Sequence, residues 1–264
     1  MIAWRFFVNS LQRLVSYRAE FWIGFLGTLI SQIGVAYFLW KAIFAARGEA
    51  TLQGFTLGGI MLYYLLVPLV ERVGHVQEMI GFSGEIYDGG LSRYLLYPVS
   101  YFRIKYASGL AQSAVYLAQL GLILGGYGLA FGRPGGMTLV SLVQGLGALW
   151  ASVTLCFFLS AAVEAVAFWA DNVWSLWILV RMAAALLGGG SIPLVFFPDW
   201  ARAALDWLPF GRMIDFPIRC LLGQVGWGAW GTGIAIAGAW AAIFAAAAMA
   251  LWRRGLRVYA GVGI

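Results

Sequence analysis

A nucleotide-binding P-loop needs a lysine set behind glycines, and neither lysine of this chain has that setting. Lys41 follows Trp40 and Lys105 follows Ile104, whereas a P-loop requires Gly-Lys-Ser/Thr so that the ammonium reaches the phosphates. Metal chemistry has equally little to work with. His75 is the single histidine, and Cys156 and Cys220 stand 64 positions apart without paired-ligand spacing. The stretch Gly81-Phe82-Ser83-Gly84 has the form of an intramembrane serine protease motif. Its serine would need a histidine on another membrane helix, and His75 lies eight residues upstream in the same charged segment. No catalytic, cofactor-binding or metal-binding residue is therefore expected in this chain.

The remaining polar residue of interest is Arg181, inside an apolar stretch. It lies about 12 Å into that stretch at ~1.5 Å per residue, at a cost of about 2.5–3.5 kcal/mol on insertion scales. A carboxylate, backbone carbonyls or a wet cavity must compensate. Asp171 is ten residues away on the same stretch, too far for direct pairing on a regular helix, which leaves Glu164 as a candidate partner. Arg181 is a candidate intramembrane polar site or pathway residue.

The elements that must position these residues follow from composition. Of 264 residues, 62% are hydrophobic and 11% charged, against roughly 25% charged in soluble domains. A soluble fold could not hide that apolar surface, so the solvent is a bilayer. Crossing ~30 Å of hydrocarbon takes about 20 apolar residues. Six stretches approach that length: Phe21–Phe44, Phe55–Val70, Ala107–Phe131, Met137–Val163, Val173–Pro193 and Gly228–Trp252. Gly188-Gly189-Gly190 and Pro193 break the fifth, so its outer end is not expected to be regular helix. The expected fold is an all-α integral membrane protein, a single domain over 1–264 with six transmembrane helices.

Segment 1–20 is expected to be an amphipathic helix lying in the membrane interface. Trp4, Phe7, Val8, Leu11, Leu14 and Val15 share one stripe, opposite Arg5, Asn9, Gln12, Arg13 and Ser16. With the N-terminus inside, ten Lys/Arg fall on inner segments and six on outer ones, which favours cytoplasmic N- and C-termini. The scattered basic residues are a topology signal and imply no nucleic acid. Segment 71–105 is a long, charged cytoplasmic loop with a partial helical stripe at Val76, Met79, Ile80 and Ile86. The inner loop Glu164–Asn172 is short and acidic. Segment 197–227 is too polar to span. Its Asp199/Arg202, Arg212/Asp215 and Asp215/Arg219 spacings suit helical ion pairs, and prolines divide it into two short helices expected to dip into the outer leaflet. Gly121, Gly125, Gly128 and Gly132 mark a small face on the third span, suited to packing within the chain or against a second copy.

Two stretches carry a resemblance. One is Gly84-Glu85-Ile86-Tyr87-Asp88-Gly89-Gly90-Leu91-Ser92-Arg93-Tyr94-Leu95-Leu96-Tyr97-Pro98; the other is Ile192-Pro193-Leu194-Val195-Phe196-Phe197-Pro198-Asp199-Trp200, followed by Leu208-Pro209-Phe210 and Pro217. With the layout of spans, they resemble the membrane-spanning permease subunits of bacterial type-2 ABC exporters. The resemblance implies a cytoplasmic coupling helix in the 71–105 loop that docks on a separate ATPase. It also implies re-entrant outer helices before the last span, and a pore formed with a second six-span permease, identical or paralogous. Two ATPase subunits would bind the ATP and Mg, and this chain would bind no cofactor. The expected docking surface comprises Val76, Glu78, Met79, Gly84, Glu85, Ile86, Asp88, Leu91 and Arg93, with Glu164 and Asp171 as a secondary cytoplasmic contact. The expected location is the bacterial cytoplasmic membrane, surrounded by membrane lipid. The alternatives are an ATP-independent transporter or channel, which would carry more ionisable groups at mid-membrane, and a membrane enzyme or assembly factor.

Overall fold

Apolar runs of spanning length, closed by polar caps, organise the chain into long helices joined by short ones. The computed structural model describes residues 18–75, 79–132 and 136–261, together with Val8. Helix α1 (Arg18–Arg47) is followed by α2 (Leu57–Gly74), two short helices α3 (Phe82–Tyr87) and α4 (Leu91–Leu95), and then α5 (Tyr101–Phe131). Next come α6 (Leu139–Glu164) with a 3-10 turn at Ala165–Phe168, and α7 (Trp174–Leu187). Another 3-10 turn (Leu194–Phe196) leads to α8 (Asp199–Leu205), α9 (Phe210–Met213), α10 (Asp215–Leu221) and the last helix, α11 (Trp227–Gly255). Among the described residues there is no strand.

Helix starts are set by local chemistry. The Thr56 side chain accepts the Gly59 N–H at 3.1 Å and starts α2. Thr138 and Ser141 cap each other reciprocally at the start of α6, at 3.1 and 2.8 Å. Five helices, α1, α2, α5, α6 and α11, are long and apolar enough to cross a membrane. Of these, α2 and α6 are the most buried and form the centre. The outer helices instead expose large apolar side chains, such as Phe38 at 73% and Leu129 at 93%. An apolar exterior around a packed interior suits a lipid solvent.

The expected fifth crossing is shorter than its apolar run. Helix α7 has 14 residues, about 21 Å at ~1.5 Å each, and it ends at the Gly188–Gly190 turn. Among the described residues there are thus five helices of spanning length and one shorter apolar helix. The second helix runs to Gly74 instead of stopping at Val70, so Glu71 and Arg72 belong to its last turns. The interfacial helix expected over 1–20 falls, but for Val8 and 18–20, outside the described residues.

Where two short helices were expected in 197–227, three form, and they reach deep into the bundle. The Ser152 hydroxyl donates to the Met213 carbonyl at 2.9 Å, and Ser152 lies about 20 Å along α6 at ~1.5 Å per residue. From there α10 runs back beside α6, until the Ser141 hydroxyl meets the Leu221 carbonyl at 3.2 Å. A buried polar knot holds the turning point. The Tyr63 hydroxyl faces both the Gly189 carbonyl at 2.9 Å and Asp215 Oδ1 at 3.0 Å. The Asp215 N–H donates to the Gly188 carbonyl at 3.0 Å, and Tyr64 donates to the Ser191 carbonyl at 2.8 Å. Tyr63→Phe removes a buried donor and strands its acceptors. It is expected to cost about 1–3 kcal/mol, read as a lower melting temperature of the detergent-solubilised protein.

The expected ion pairs form in part. Arg202 pairs with Asp199, and Arg219 lies 3.7 Å from Asp215. Arg212 turns away from Asp215 to Asp206, donating to its carbonyl at 2.6 Å with the carboxylate 3.6 Å away. Arg181 is half-buried in α7. Among the described residues no carboxylate pairs with it, and Glu164 is committed elsewhere.

Candidate functional site

The end of the bundle that carries α3 and α4 gathers most of the remaining charged chemistry. Helix α3 is only six residues long and has no side-chain cap of its own. Its N-cap is Gly81, at φ +83, a left-handed conformation that glycine adopts without a Cβ penalty. The backbone donors at its start are answered from a distant element. Glu164, the last residue of α6 and fully buried, accepts the Ile80 N–H at 2.6 Å, the Ser83 N–H at 3.2 Å and the Ser83 hydroxyl at 3.3 Å. A carboxylate at a helix N-terminus satisfies orphan donors and complements the local positive potential.

Further contacts fasten the same segment. Glu85 pairs with Lys105 at 2.7 Å and accepts the Tyr101 hydroxyl, both from the first turns of α5. The Tyr87 hydroxyl donates to the Ala170 carbonyl at 2.8 Å, and burial raises its pKa above the ordinary phenol value. Burial raises Tyr94 as well, with Glu85 adding to the effect. Below α3 lies an aromatic cluster. The Phe82 ring meets Tyr101 at 4.8 Å and Trp252 at 6.0 Å, and Tyr101 stacks on Trp252 at 4.7 Å. Pairs of this geometry contribute about 0.5–1.5 kcal/mol beyond burial. Segment 79–95 is thus tied to the ends of α5, α6 and α11 together.

The structure sorts the residues expected at a docking surface. Gly84, Asp88 and Arg93 are exposed, Met79 is half-buried, and Asp171 is exposed on the neighbouring loop. Ile86 and Leu91 are buried in the chain's own core, at 1% and 0% exposure. Glu85 is spent on Lys105 and Tyr101. Glu164 offers nothing to a surface, because its oxygens are taken by Ile80, just before α3, and by Ser83 within it. These four residues hold the segment from beneath. Val76 and Glu78 lie outside the described residues. The expectation missed an apolar tip, Leu95, Leu96 and Tyr97, with Leu96 at 86% exposure. It also missed the cap. The readable signal for it was an acid closing an otherwise uncharged span, opposite a short helix without a capping side chain.

No hydrolytic site forms at Gly81–Gly84. Ser83 donates to Glu164, while His75 Nε2 faces the Gly109 carbonyl at 3.1 Å and Ser113 at 2.9 Å. The Ser113 hydroxyl gives its one hydrogen to the Val73 carbonyl at 2.8 Å, so His75 Nε2 must be the donor. The imidazole thereby secures the end of α2 against α5. Among the described residues no group of three His, Cys, Asp or Glu could hold a metal ion.

A family model described as "ABC-2 family transporter protein" matches residues 30–263. None of the curated proteins and none of the solved structures matches the chain. The matched span contains the five long helices beyond the first turns of α1, the anchored α3–α4 segment and the short helices α8–α10. With a lipid-suited exterior and a segment fastened to three helix ends, the chain belongs to the ABC-2 transporter family, as a membrane permease component of an ABC transporter.

Proposed function

We propose that this chain is the permease subunit of an ATP-driven exporter in the bacterial cytoplasmic membrane. In this reading α3 and α4 are cytoplasmic and form the coupling element, and both termini are on the same side. Helix α7 with its re-entrant continuation serves as the sixth crossing. Two separate ATPase subunits bind ATP and Mg, and a second permease of the same kind, identical or paralogous, completes the pathway. Arg181 is offered to that pathway as a polar group.

One observation carries the reading: the α3–α4 segment is anchored beneath and ends in an exposed apolar tip, Leu95–Tyr97, beside the exposed Asp88 and Arg93. Exposed leucines at the end of a membrane bundle suit a pocket on a soluble partner, and central apolar anchors dominate such interfaces. Closure of the ATPase pair would push on this tip, and Glu164, Lys105 and the aromatic cluster would pass the displacement to α6, α5 and α11. Transport then requires that cargo bind the inward- and outward-open states with different affinity.

The test is co-purification from the native host with and without Leu96→Asp. The parent chain is expected to retain a P-loop ATPase near stoichiometrically. The variant is expected to lose it by on the order of tenfold, as for an anchor worth more than 1 kcal/mol, with an unchanged melting temperature. Equal retention by both chains would remove the tip from the interface. Recovery of the parent chain alone from several mild detergents would favour an ATP-independent carrier.

A further inference from the structure

A groove at the last turn of α11 has no role in the account above. It is an open surface groove of about 480 Å³, lined by Trp169, Leu251, Arg254, Arg257 and Val258. Arg254 is in the last turn of α11, and Arg257 lies in the turn that follows Gly255, its N–H bonded to the Arg254 carbonyl at 3.2 Å; both side chains line the groove. Both are exposed, and among the described residues neither pairs with a carboxylate, although Lys105, Arg202, Arg212 and Arg219 each do. The opposite wall is apolar. Trp169 is half-exposed, Val258 is 57% exposed, and Leu251 continues along α11 into its membrane-crossing part.

We propose that this groove binds one anionic phospholipid, with the phosphodiester between Arg254 and Arg257 and the upper acyl chain against Leu251 and Trp169. The charge argument is complementarity: two guanidinium groups present paired donors that match phosphate oxygens. The α11 carbonyl end already draws cations to this position, but that alone would need no apolar wall. Trp169 supplies the amphipathic ring that settles at headgroup depth. A free phosphate would use the arginines and leave the apolar wall unused, so the lipid is the better fit. The groove also adjoins the anchored segment, since Ser92 meets Tyr259 at 3.3 Å. A bound lipid would therefore sit two residues from a contact that holds α4. The proposal rests on the family's membrane assignment and not on the direction of transport.

The experiment is native mass spectrometry of the detergent-solubilised full-length chain, titrated with phosphatidylglycerol or phosphatidylcholine of the same acyl chains. Phosphatidylglycerol is expected to remain bound as a single adduct and phosphatidylcholine to be lost. Each arginine near an anionic lipid is worth roughly fivefold in affinity, so Arg254→Gln with Arg257→Gln is expected to weaken binding by roughly 25-fold. Arg253→Gln removes the same charge from the same helix end but does not line the groove, and it is expected to bind as the parent does. Trp169→Ala leaves the charge intact and is expected to weaken phosphatidylglycerol binding several-fold. Should the double variant misfold, Trp169→Ala and Arg253→Gln carry the comparison. Equal losses in Arg253→Gln and the double variant would reduce the site to diffuse basic charge. Displacement of the lipid by millimolar glycerol phosphate would make it a soluble-anion site. Either result overturns the proposal.

Discussion

Replacing Gly189 by alanine is expected to abolish recovery of folded protein, or to lower its melting temperature by many degrees. Gly189 has φ +89, a conformation that costs an L-residue about 1–2 kcal/mol. An added Cβ would sit 2.7 Å from the Tyr63 hydroxyl and 3.0 Å from the Asp215 Cβ. Neither neighbour can yield easily. Tyr63 is fully buried on the central helix α2, and Asp215 opens α10 while its own N–H holds the Gly188 carbonyl. Moving Tyr63 breaks two buried hydrogen bonds, at about 1–3 kcal/mol for each group left unpaired. The combined loss, on the order of 4 kcal/mol, consumes a large share of a typical 5–15 kcal/mol stability. The control is Gly228→Ala, where the added methyl meets open space near the start of α11. The measurement is the monodisperse yield and thermal melting of both variants in one detergent. Parent-like behaviour of Gly189→Ala would mean that the turn is not fixed by this geometry.

The long helices were legible because a membrane span is a one-dimensional property. About 20 apolar residues in a row mark it, and five of the six expected stretches correspond to long helices within a few residues at most ends. Segment 173–193 is where that logic fails. Its composition suits a crossing, but three glycines in a row turn the chain inside the bundle, and only the partners Tyr63 and Asp215 show why. The Arg212/Asp215 spacing failed for a related reason, while Asp199/Arg202 and Asp215/Arg219 hold. The i,i+3 rule assumes one continuous helix, and between Arg212 and Asp215 the backbone breaks at Ile214, with φ −125° and ψ −66°. The break turns Arg212 toward Asp206. At the candidate site, the loop and its charge were readable, as was its likeness to a family pattern. Which residues face outward was not. Ile86 and Leu91 are buried in one cluster with Tyr101, Phe157 and Trp252, from helices α5, α6 and α11, and although an acid ending an uncharged span is visible in the sequence, nothing local says which helix Glu164 closes.

Glu164→Ala should separate docking from transmission. The substitution removes both oxygens that receive the Ile80 and Ser83 donors, in a site with no exposure at Glu164 itself. Two buried N–H groups without partners cost about 1–3 kcal/mol each, enough to detach the start of α3 from α6. The Leu95–Tyr97 tip is fastened separately, through the Glu85–Lys105 pair and Leu91. The variant is therefore expected to keep its ATPase partner while substrate-dependent stimulation of ATP hydrolysis falls by on the order of tenfold. Limited proteolysis around residues 79–84 should accelerate in parallel. Glu164→Gln keeps one carbonyl oxygen for the short Ile80 bond and leaves the Ser83 N–H facing an amide, so it should lie between parent and Ala. Ser83→Ala, which deletes only the 3.3 Å hydroxyl bond, should be near the parent. That order, parent, Ser83→Ala, Glu164→Gln, Glu164→Ala, follows from how many backbone donors each variant strands. If Glu164→Ala instead lost the ATPase altogether, the cap would be part of the docking surface's fold. If it kept full stimulation, the path from α3 to the membrane would run through Lys105 and the Tyr101–Trp252 stack, and α6 would be a bystander.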